Sequence, residues 1–260
     1  MIVTILGSGS AYGAPQAGNY FGQTDRSEPK NYRTRSSVLF DFGDCNFLID
    51  AGPDFRTQLN TNNVSKIDAV LFTHAHADHI NGLPDIQRLA SNQKHPIDLF
   101  CSKETFEGIK LCYFYMFNNN NQERGLESLR WHVFENGDNI EFNGHVLATT
   151  GLVHRNMLST AVRYKNFLFA TDFEEIPEMS VPLFKNLDCI LMETNNGFNT
   201  TRRGNGHNDF YAALNIRDRL NIKKFVLTHL NIDVDYCRDG KKLPENFELA
   251  YDGMKFDVDE

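Results

Sequence analysis

The stretch DAVLFTHAHADH, residues 68–79, joins a short apolar run to a dense cluster of polar side chains. Its first half, DAVLFT (68–73), has the β-branched and apolar content of a buried strand. Its second half holds metal-ligand residue types separated only by alanines: His74, His76, Asp78 and His79. A strand that ends in a tight turn and enters a helix can aim the first two side chains at one point and the last two at a neighbouring point. Imidazole and carboxylate suit zinc, manganese or iron more than calcium, so the stretch predicts a site for two adjacent metal ions.

Further candidate ligands stand near the ends of other predicted strands. Asp172 follows the run NFLFAT (166–171), His229 follows KFVLT (224–228), and His154 lies in the segment GLVHRN. Ligand sites of open α/β sheets lie at the carboxyl ends of strands, so we expect these residues to meet the 68–79 cluster in one cleft. Taken alone, Asp172 is equally well explained as the cap of a helix entering residues 173–176. The isolated histidines His95, His132 and His145 are expected to be solvated or hydrogen-bonded residues outside the site.

Short apolar runs closed by polar clusters recur along the chain and predict strands. They are IVTIL (2–6), SVLFDF (37–42), NFLID (46–50), DAVLFT (68–73), NFLFAT (166–171), DCILMET (188–194) and KFVLTH (224–229). Helices are predicted after Pro53, Pro84, Ser102 and Asn208, with Asn208 capping the last of them. Strands that alternate with helices indicate a layered α/β fold. Because no repeat or linker interrupts the chain, we expect a single domain over residues 1–260.

Composition argues against several classes of protein. The chain has 260 residues, of which 41% are hydrophobic, which is enough for a sizeable core and argues against a disordered or fibrous chain. No apolar run approaches the roughly 20 residues that span a bilayer, and the N-terminus lacks the features of a secretory signal, so we expect a cytoplasmic protein without a membrane partner. Cysteines without CxxC spacing favour reduced thiols. A net charge of −8 counts against a nucleic-acid partner.

The motif HAHADH resembles the metal signature of the metallo-β-lactamase superfamily, and the candidate ligands follow that superfamily's order along the chain. The resemblance extends to LGSGSAYGAP (6–15), RTRSSVLF (33–40), FLIDAGPDFR (47–56), THAHADHINGLPDIQ (73–87), FATDFEEIP (169–177), GHNDFYAAL (206–214), LTHLNIDVDY (227–236) and LPENFELAYDG (243–253). Together these segments resemble the branch that contains the cyclic phosphodiesterase of the carbon–phosphorus lyase pathway. They cover nearly the whole chain except about residues 95–145. The resemblance implies an αββα sandwich with a dinuclear metal site along one edge.

The resemblance also implies a role for each candidate residue. His74, His76 and His154 match the ligands of one metal, Asp78, His79 and His229 match those of a second, and Asp172 matches the bridge. The resemblance implies two catalytic residues, Asp78 and His207, the latter in the segment GNGHNDF. His207 is expected to bind phosphate and to protonate the leaving group. The resemblance implies two divalent ions, with zinc and manganese as the first candidates, and a bridging hydroxide as the nucleophile. The positive charge of the two ions exceeds the negative charge of the two aspartates and the hydroxide, so the site favours an anionic substrate. The plainer interpretation is that His207 merely precedes a helix cap.

These inferences predict a metal-dependent phosphodiesterase whose partner is a small phosphodiester, a cyclic one among the candidates. Alternatives are a thioesterase of the glyoxalase II type, a β-lactamase, a transfer-RNA 3′-processing nuclease, and an oxidoreductase or cofactor-biosynthesis member of the superfamily. A lactamase is expected to be exported, and a nuclease needs a basic arm to grip its substrate. Many relatives bind a structural zinc through a cysteine-rich loop, whereas residues 16–32 contain no Cys or His, so that third site is expected to be absent. The apolar segment YFYMF (113–117) has three possible interpretations: a lid, a homodimer contact or a buried helix end.

Overall fold

Two seven-stranded sheets form the centre of the molecule in the computed structural model, which describes residues 1–117, 128–202 and 204–258. The strands are β1 (Ile2–Gly7), β2 (Ser37–Asp41), β3 (Asn46–Ile49), β4 (Ala69–Phe72), β5 (Ile97–Ser102), β6 (Leu129–Phe134), β7 (Asn139–Phe142), β8 (His145–His154), β9 (Met157–Tyr164), β10 (Phe167–Ala170), β11 (Cys189–Glu193), β12 (Lys224–Thr228), β13 (Phe247–Leu249) and β14 (Lys255–Asp257). One sheet has the order β14-β1-β2-β3-β4-β5-β6 and the other β13-β12-β11-β10-β9-β8-β7.

Each sheet combines an antiparallel part with a parallel part. Strands β3 to β6 are parallel in the first sheet, and strands β10 to β13 are parallel in the second. The carboxyl ends of parallel strands lie at the same edge of a sheet. Residues that follow β4, β10 and β12 therefore face one another across the edge where the two sheets meet.

Helices cover the outer face of each sheet. They are α1 (Phe55–Thr61), α2 (Ala77–Ile80), α3 (Leu83–Gln93), α4 (Lys103–Cys112), α5 (Phe114–Phe117), α6 (Phe210–Leu220) and α7 (Tyr236–Gly240), with 3₁₀ turns at Pro29–Asn31, Glu178–Phe184 and Thr200–Arg202. One apolar cluster joins α1, α3 and α4 to the first sheet, and a second joins α6 and the Glu178–Phe184 turn to the other sheet. A third cluster lies between the sheets, where the rings of Phe40 and Phe167 meet edge to face at 5.6 Å. The predicted αββα fold is confirmed.

The starts of α4 and α6 show how two of the predicted helices are capped. The helix predicted after Ser102 is α4, and the Ser102 hydroxyl caps it by accepting a hydrogen bond from the Thr105 N–H at 3.3 Å. The prediction that Asn208 caps α6 is wrong. Asp209 is the cap, with its carboxylate accepting from the Ala212 N–H at 2.8 Å. Asn208 instead donates its side-chain amide to the Phe173 carbonyl at 2.7 Å, so its amide group is no longer available to cap the helix.

Strands β5 to β9, β13 and β14 were not among the predicted strands. Each of them carries polar or charged residues among its apolar residues, so these strands lack the uninterrupted apolar run that identifies the central strands. The YFYMF segment contains α5, in which Met116 is buried and Phe114 is 69% exposed. The lid and homodimer interpretations of this segment stay predictions, and the asparagine run that follows it lies outside the described residues. In the described ranges, every helix is too short or too polar to span a bilayer.

Candidate metal centre

The predicted ligands come together at the edge where the two sheets meet. His74 and His76 follow β4, and Asp78 and His79 lie in the first turn of α2. From the second sheet, the site takes His154 at the end of β8, Asp172 after β10 and His229 after β12. All seven side chains are buried except that of His76, which is partly exposed. Asp172 and His229 have left-handed backbones, with φ of 47° and 52°, which turn their side chains out of the strand direction.

One group of ligand atoms consists of imidazole nitrogens. The Nδ1 atom of His76 lies 3.0 Å from Nε2 of His74 and 3.3 Å from Nε2 of His154. The other nitrogens of His74 and His154 already have partners, Thr73 Oγ1 at 3.0 Å and the Gly206 carbonyl at 2.8 Å. Ligand atoms about 2.0 Å from a tetrahedral zinc lie about 3.3 Å apart. The spacing of these nitrogens therefore fits ligands of a single divalent ion.

A second group shares Asp172 with the first. Its Oδ2 atom lies 3.8 Å from Nε2 of His74, while its Oδ1 atom lies 3.2 Å from Nε2 of His229 and 3.6 Å from Nε2 of His79. The remaining member is Asp78, whose Oδ2 lies 3.1 Å from Nε2 of His79. One carboxylate thus presents one oxygen to each group, as a bridge between two ions requires.

Unpaired polar atoms support the same conclusion. Asp78 Oδ2, His79 Nε2 and His229 Nε2 are buried and have no hydrogen-bond partner among the residues that the structure describes. Leaving a buried polar atom unpaired costs about 1–3 kcal/mol, so converging unpaired atoms point to a missing partner. The donor set of imidazole nitrogens and carboxylate oxygens suits a divalent transition metal.

Burial controls the protonation of the histidines. Burial lowers the pKa of His74, His76 and His154, which keeps these imidazoles neutral. Burial also disfavours a charge on His79, but the carboxylates of Asp78 and Asp50 outweigh it and raise the pKa of His79 well above its ordinary value. Neutral imidazole is the form that binds metal. His74, His76 and His154 are therefore ready to bind, whereas His79 must release a proton first.

Sequence reasoning missed the residues that orient these ligands. Asp50 lies 2.6 Å from Nδ1 of His79, and the Asn195 amide lies 3.2 Å from Nδ1 of His229. Such contacts fix which ring nitrogen faces the metal. The sequence carried one usable signal: Asp50 ends the apolar run NFLID, just as Asp172 follows NFLFAT. Two further contacts lie in the framework beside the site: Arg35 binds the Asp54 carboxylate, and the Ser37 hydroxyl donates to the Asp50 carbonyl.

His207 lies beside the ligand cluster rather than merely before a helix. Its ring centroid is 5.0 Å from that of His154 and 5.4 Å from that of His229, to which it is nearly parallel. Its Nδ1 atom lies 3.7 Å from Oε2 of Glu193, a fully buried carboxylate that sequence reasoning also missed. Burial lowers the pKa of His207, but the negative charge of Glu193 outweighs burial and raises the pKa to about 9. His207 is therefore cationic at neutral pH and can bind an anion or donate a proton.

A cleft of about 810 Å³ opens onto the cluster. His76, Asp78, His154, Asp172 and His207 reach it from the floor. The volume is typical of a small-molecule site. Three arginines also line the cleft: Arg35, Arg155 and Arg202.

Comparisons with known proteins agree with this geometry. Residues 45–230 match the family model described as the beta-lactamase superfamily domain. A solved structure titled as a new diphosphatase from the PhnP family superposes with a TM-score of 0.87 at 26% identity, covering 99% of this chain and 98% of that one. An octanoyltransferase of Porphyromonas gingivalis is 24% identical over 98% of this chain and 51% of its own length. A ribonuclease Z of Clostridium tetani is 22% identical over 99% of this chain and 98% of its own length.

Two of the curated relatives are about twice as long as the part of them that this chain matches. The match to the family model covers more than half of this chain and includes every candidate ligand from His74 to His229. The TM-score of 0.87 supports the predicted resemblance to the carbon–phosphorus lyase branch. The chain belongs to the metallo-β-lactamase superfamily.

Proposed function

We propose that the protein is a hydrolase with two divalent metal ions that cleaves a small phosphodiester, a cyclic one among the candidates. The observation that carries the proposal is the position of Asp172, whose two oxygens face two separate groups of ligand atoms. The cationic His207 at the edge of the same groups supports a phosphoryl substrate, because it can bind a phosphate oxygen or protonate an oxygen that leaves.

The names of related proteins support this class of substrate. The structural neighbour of the PhnP family is titled a diphosphatase, and curated relatives include a ribonuclease and an exodeoxyribonuclease. All these names describe hydrolysis of bonds to phosphorus. The octanoyltransferase name does not, but the match covers only half of that protein. Phosphoryl chemistry is therefore the function that the relatives share most widely.

The residues of this chain supply three parts of the reaction. His74, His76, His154, Asp78, His79, Asp172 and His229 would hold the two ions. When bound, two such ions supply activation of water and Lewis acidity for the phosphoryl oxygens. His207 is placed to deliver the proton that the leaving oxygen needs, and Glu193 keeps that proton on the ring. The ligands are buried at the bottom of the cleft, where the effective dielectric constant is lower than in water. Their electrostatic attraction to a bound cation is therefore stronger there.

A small substrate fits the chain better than a folded RNA. Between the ligands His154 and Asp172 the chain forms only β9, β10 and short turns, with no inserted arm. The net charge of −8 also opposes a long contact with a polyanion. Arg155 and His207 both line the cleft, and two cations at one place suit a small anionic substrate.

A substrate panel tests the proposal. Purified protein loaded with Zn²⁺ or Mn²⁺ is assayed on bis(p-nitrophenyl) phosphate, a ribose cyclic phosphodiester, a glutathione thioester, a β-lactam and a precursor transfer RNA. We expect kcat/KM for a small phosphodiester to exceed that for the thioester and the lactam by at least about 10²-fold. Protein treated with a chelator is the control. Preferred cleavage of the thioester, the lactam or the RNA would contradict the proposal.

Metal content gives a second test. We expect about two ions per chain by elemental analysis after gel filtration, because Asp172 joins two ligand groups into one pair. A value near one would contradict the paired site. A value near three would point to another cluster, and Asp44, Cys45 and His145 also bring possible ligand atoms within 4.8 Å of one another. Cys45→Ser is the variant that separates that cluster from residues 16–32, where we expect no structural metal.

A further inference from the structure

Arg155 places a cation in the cleft that the proposed reaction does not use. It occupies the turn between β8 and β9, directly after the candidate ligand His154. Its backbone lies in the left-handed region, at φ 55°, which is disfavoured for any residue with a side chain. Arg155 lines the same cleft as His76, Asp172 and His207. The fold thus accepts an unfavourable turn that holds a long cationic side chain beside the ligand cluster.

Contacts with the neighbouring loop fix the arginine stem. Its Nε atom donates a hydrogen bond to the Asn205 carbonyl at 2.9 Å. Gly206 packs against it so closely that a Cβ atom there would lie 2.6 Å from Arg155 Cγ. The terminal Nη groups make no hydrogen bond within the described part of the chain. The stem is therefore held, while the two terminal nitrogens stay available to a ligand.

Other arginines of the cleft are paired differently. Arg35 lies 2.9 Å from Asp54, and Arg202 lies 3.0 Å from Asp233, so a carboxylate neutralises each of them. Arg155 makes no ion pair with any residue in the ranges that the structure describes. Arg155 is exposed, so an anion can reach it from solvent. Because its stem is held and it lines the cleft next to the candidate ligand His154, its guanidinium is available to an anion that binds in the cleft.

We propose that Arg155 binds a second anionic group of the substrate, a phosphate adjacent to the one that is attacked. The proposal rests on the function proposed above and narrows its substrates to diphosphate diesters. A guanidinium presents paired N–H groups to two phosphate oxygens at once. In the reaction, a water oxygen bonds to one phosphorus and the bond from that phosphorus to the bridging oxygen breaks. The electron pair stays on the bridging oxygen, and the two water protons end on the two phosphate monoesters.

Two thymidine esters that differ in the second phosphate test Arg155. They are P¹,P²-di(thymidine-5′) diphosphate and the p-nitrophenyl ester of thymidine 5′-phosphate. We expect Arg155→Met to lower the ratio of kcat/KM values, diphosphate over monophosphate ester, by about 10- to 100-fold, the value of a charged hydrogen-bonded contact. Arg155→Lys keeps the positive charge but lacks the paired N–H groups of the guanidinium, so it should lower the ratio less than Arg155→Met does. Arg219→Met removes an exposed arginine on α6 and should leave the ratio unchanged.

A binding measurement without metal gives an independent readout. Calorimetry in excess chelator compares thymidine 5′-diphosphate with thymidine 5′-monophosphate. We expect the unaltered protein to bind the diphosphate at least about tenfold more tightly and Arg155→Met to lose this preference. An unchanged ratio in Arg155→Met, or an equal loss on both esters through the Asn205 contact, would overturn the inference. Hydrolysis of neither ester by the metal-loaded protein would instead count against the proposed function, and the calorimetry would still decide the role of Arg155.

Discussion

Asp172→Ala should abolish hydrolysis, with a loss of more than about 10³-fold in kcat, and should empty or loosen both metal positions. The reason is geometric. The carboxylate places Oδ2 3.9 Å from Nε2 of His154 and Oδ1 3.2 Å from Nε2 of His229, so it belongs to both ligand groups. Without it, two divalent ions held by the remaining ligands would repel each other with no carboxylate between them. Elemental analysis and kcat are measured on the same preparation.

Two further variants make this test specific. Asp172→Asn keeps the shape of the side chain but removes its charge, so it should lose metal as Asp172→Ala does. His95→Ala removes an exposed histidine whose Nδ1 hydrogen-bonds the Pro96 carbonyl, and it should change neither metal content nor rate. Circular dichroism confirms that each variant folds. If Asp172→Ala kept two ions per chain, the assignment of Asp172 as the bridge would be wrong.

The meeting of the candidate ligands at one edge was predictable from the sequence, because several of them follow or end a strand. His74, Asp172 and His229 stand where apolar runs end, and parallel strands bring such ends to one edge. The central strands β1 to β4 and β10 to β12 were predictable for the same reason. Their side chains are almost all buried, so their sequences are continuous apolar runs.

Features that depend on long-range pairing could not be predicted in this way. Strands β8 and β9 pair from Ala148 with Arg163 to His154 with Met157, and their polar residues hide that pairing in the sequence. Glu193 is the last residue of β11 and lies in the run DCILMET (188–194), which identifies a strand but not the role of Glu193. Only the folded chain shows that Glu193 accepts hydrogen bonds from the Asn208 and Asn195 N–H groups at 2.7 and 2.8 Å. Second-layer residues of this kind have no characteristic spacing, because their partners come from other elements.

His207→Ala should keep both metals and the fold while it lowers kcat/KM by about 10²–10⁴-fold, the usual contribution of a positioned acid. His207 contributes no atom to the two ligand groups that share Asp172, so metal content should stay near that of the unaltered protein. Loss of metal in His207→Ala would show that a ligand had been misplaced. An unchanged rate on every phosphodiester would show that His207 has no catalytic role and merely precedes α6.

The leaving group separates the two roles that are open to His207. Nitrophenolate departs without a proton, whereas an alkoxide needs one, so a general acid matters most for an alkyl ester. If His207 is the acid, His207→Ala should slow a methyl phosphodiester by at least about tenfold more than a nitrophenyl phosphodiester. If His207 only binds phosphate, both esters should slow equally. Glu193→Gln removes the charge that raises the pKa of His207, so it should shift the pH profile of the alkyl ester downward while the metals stay bound.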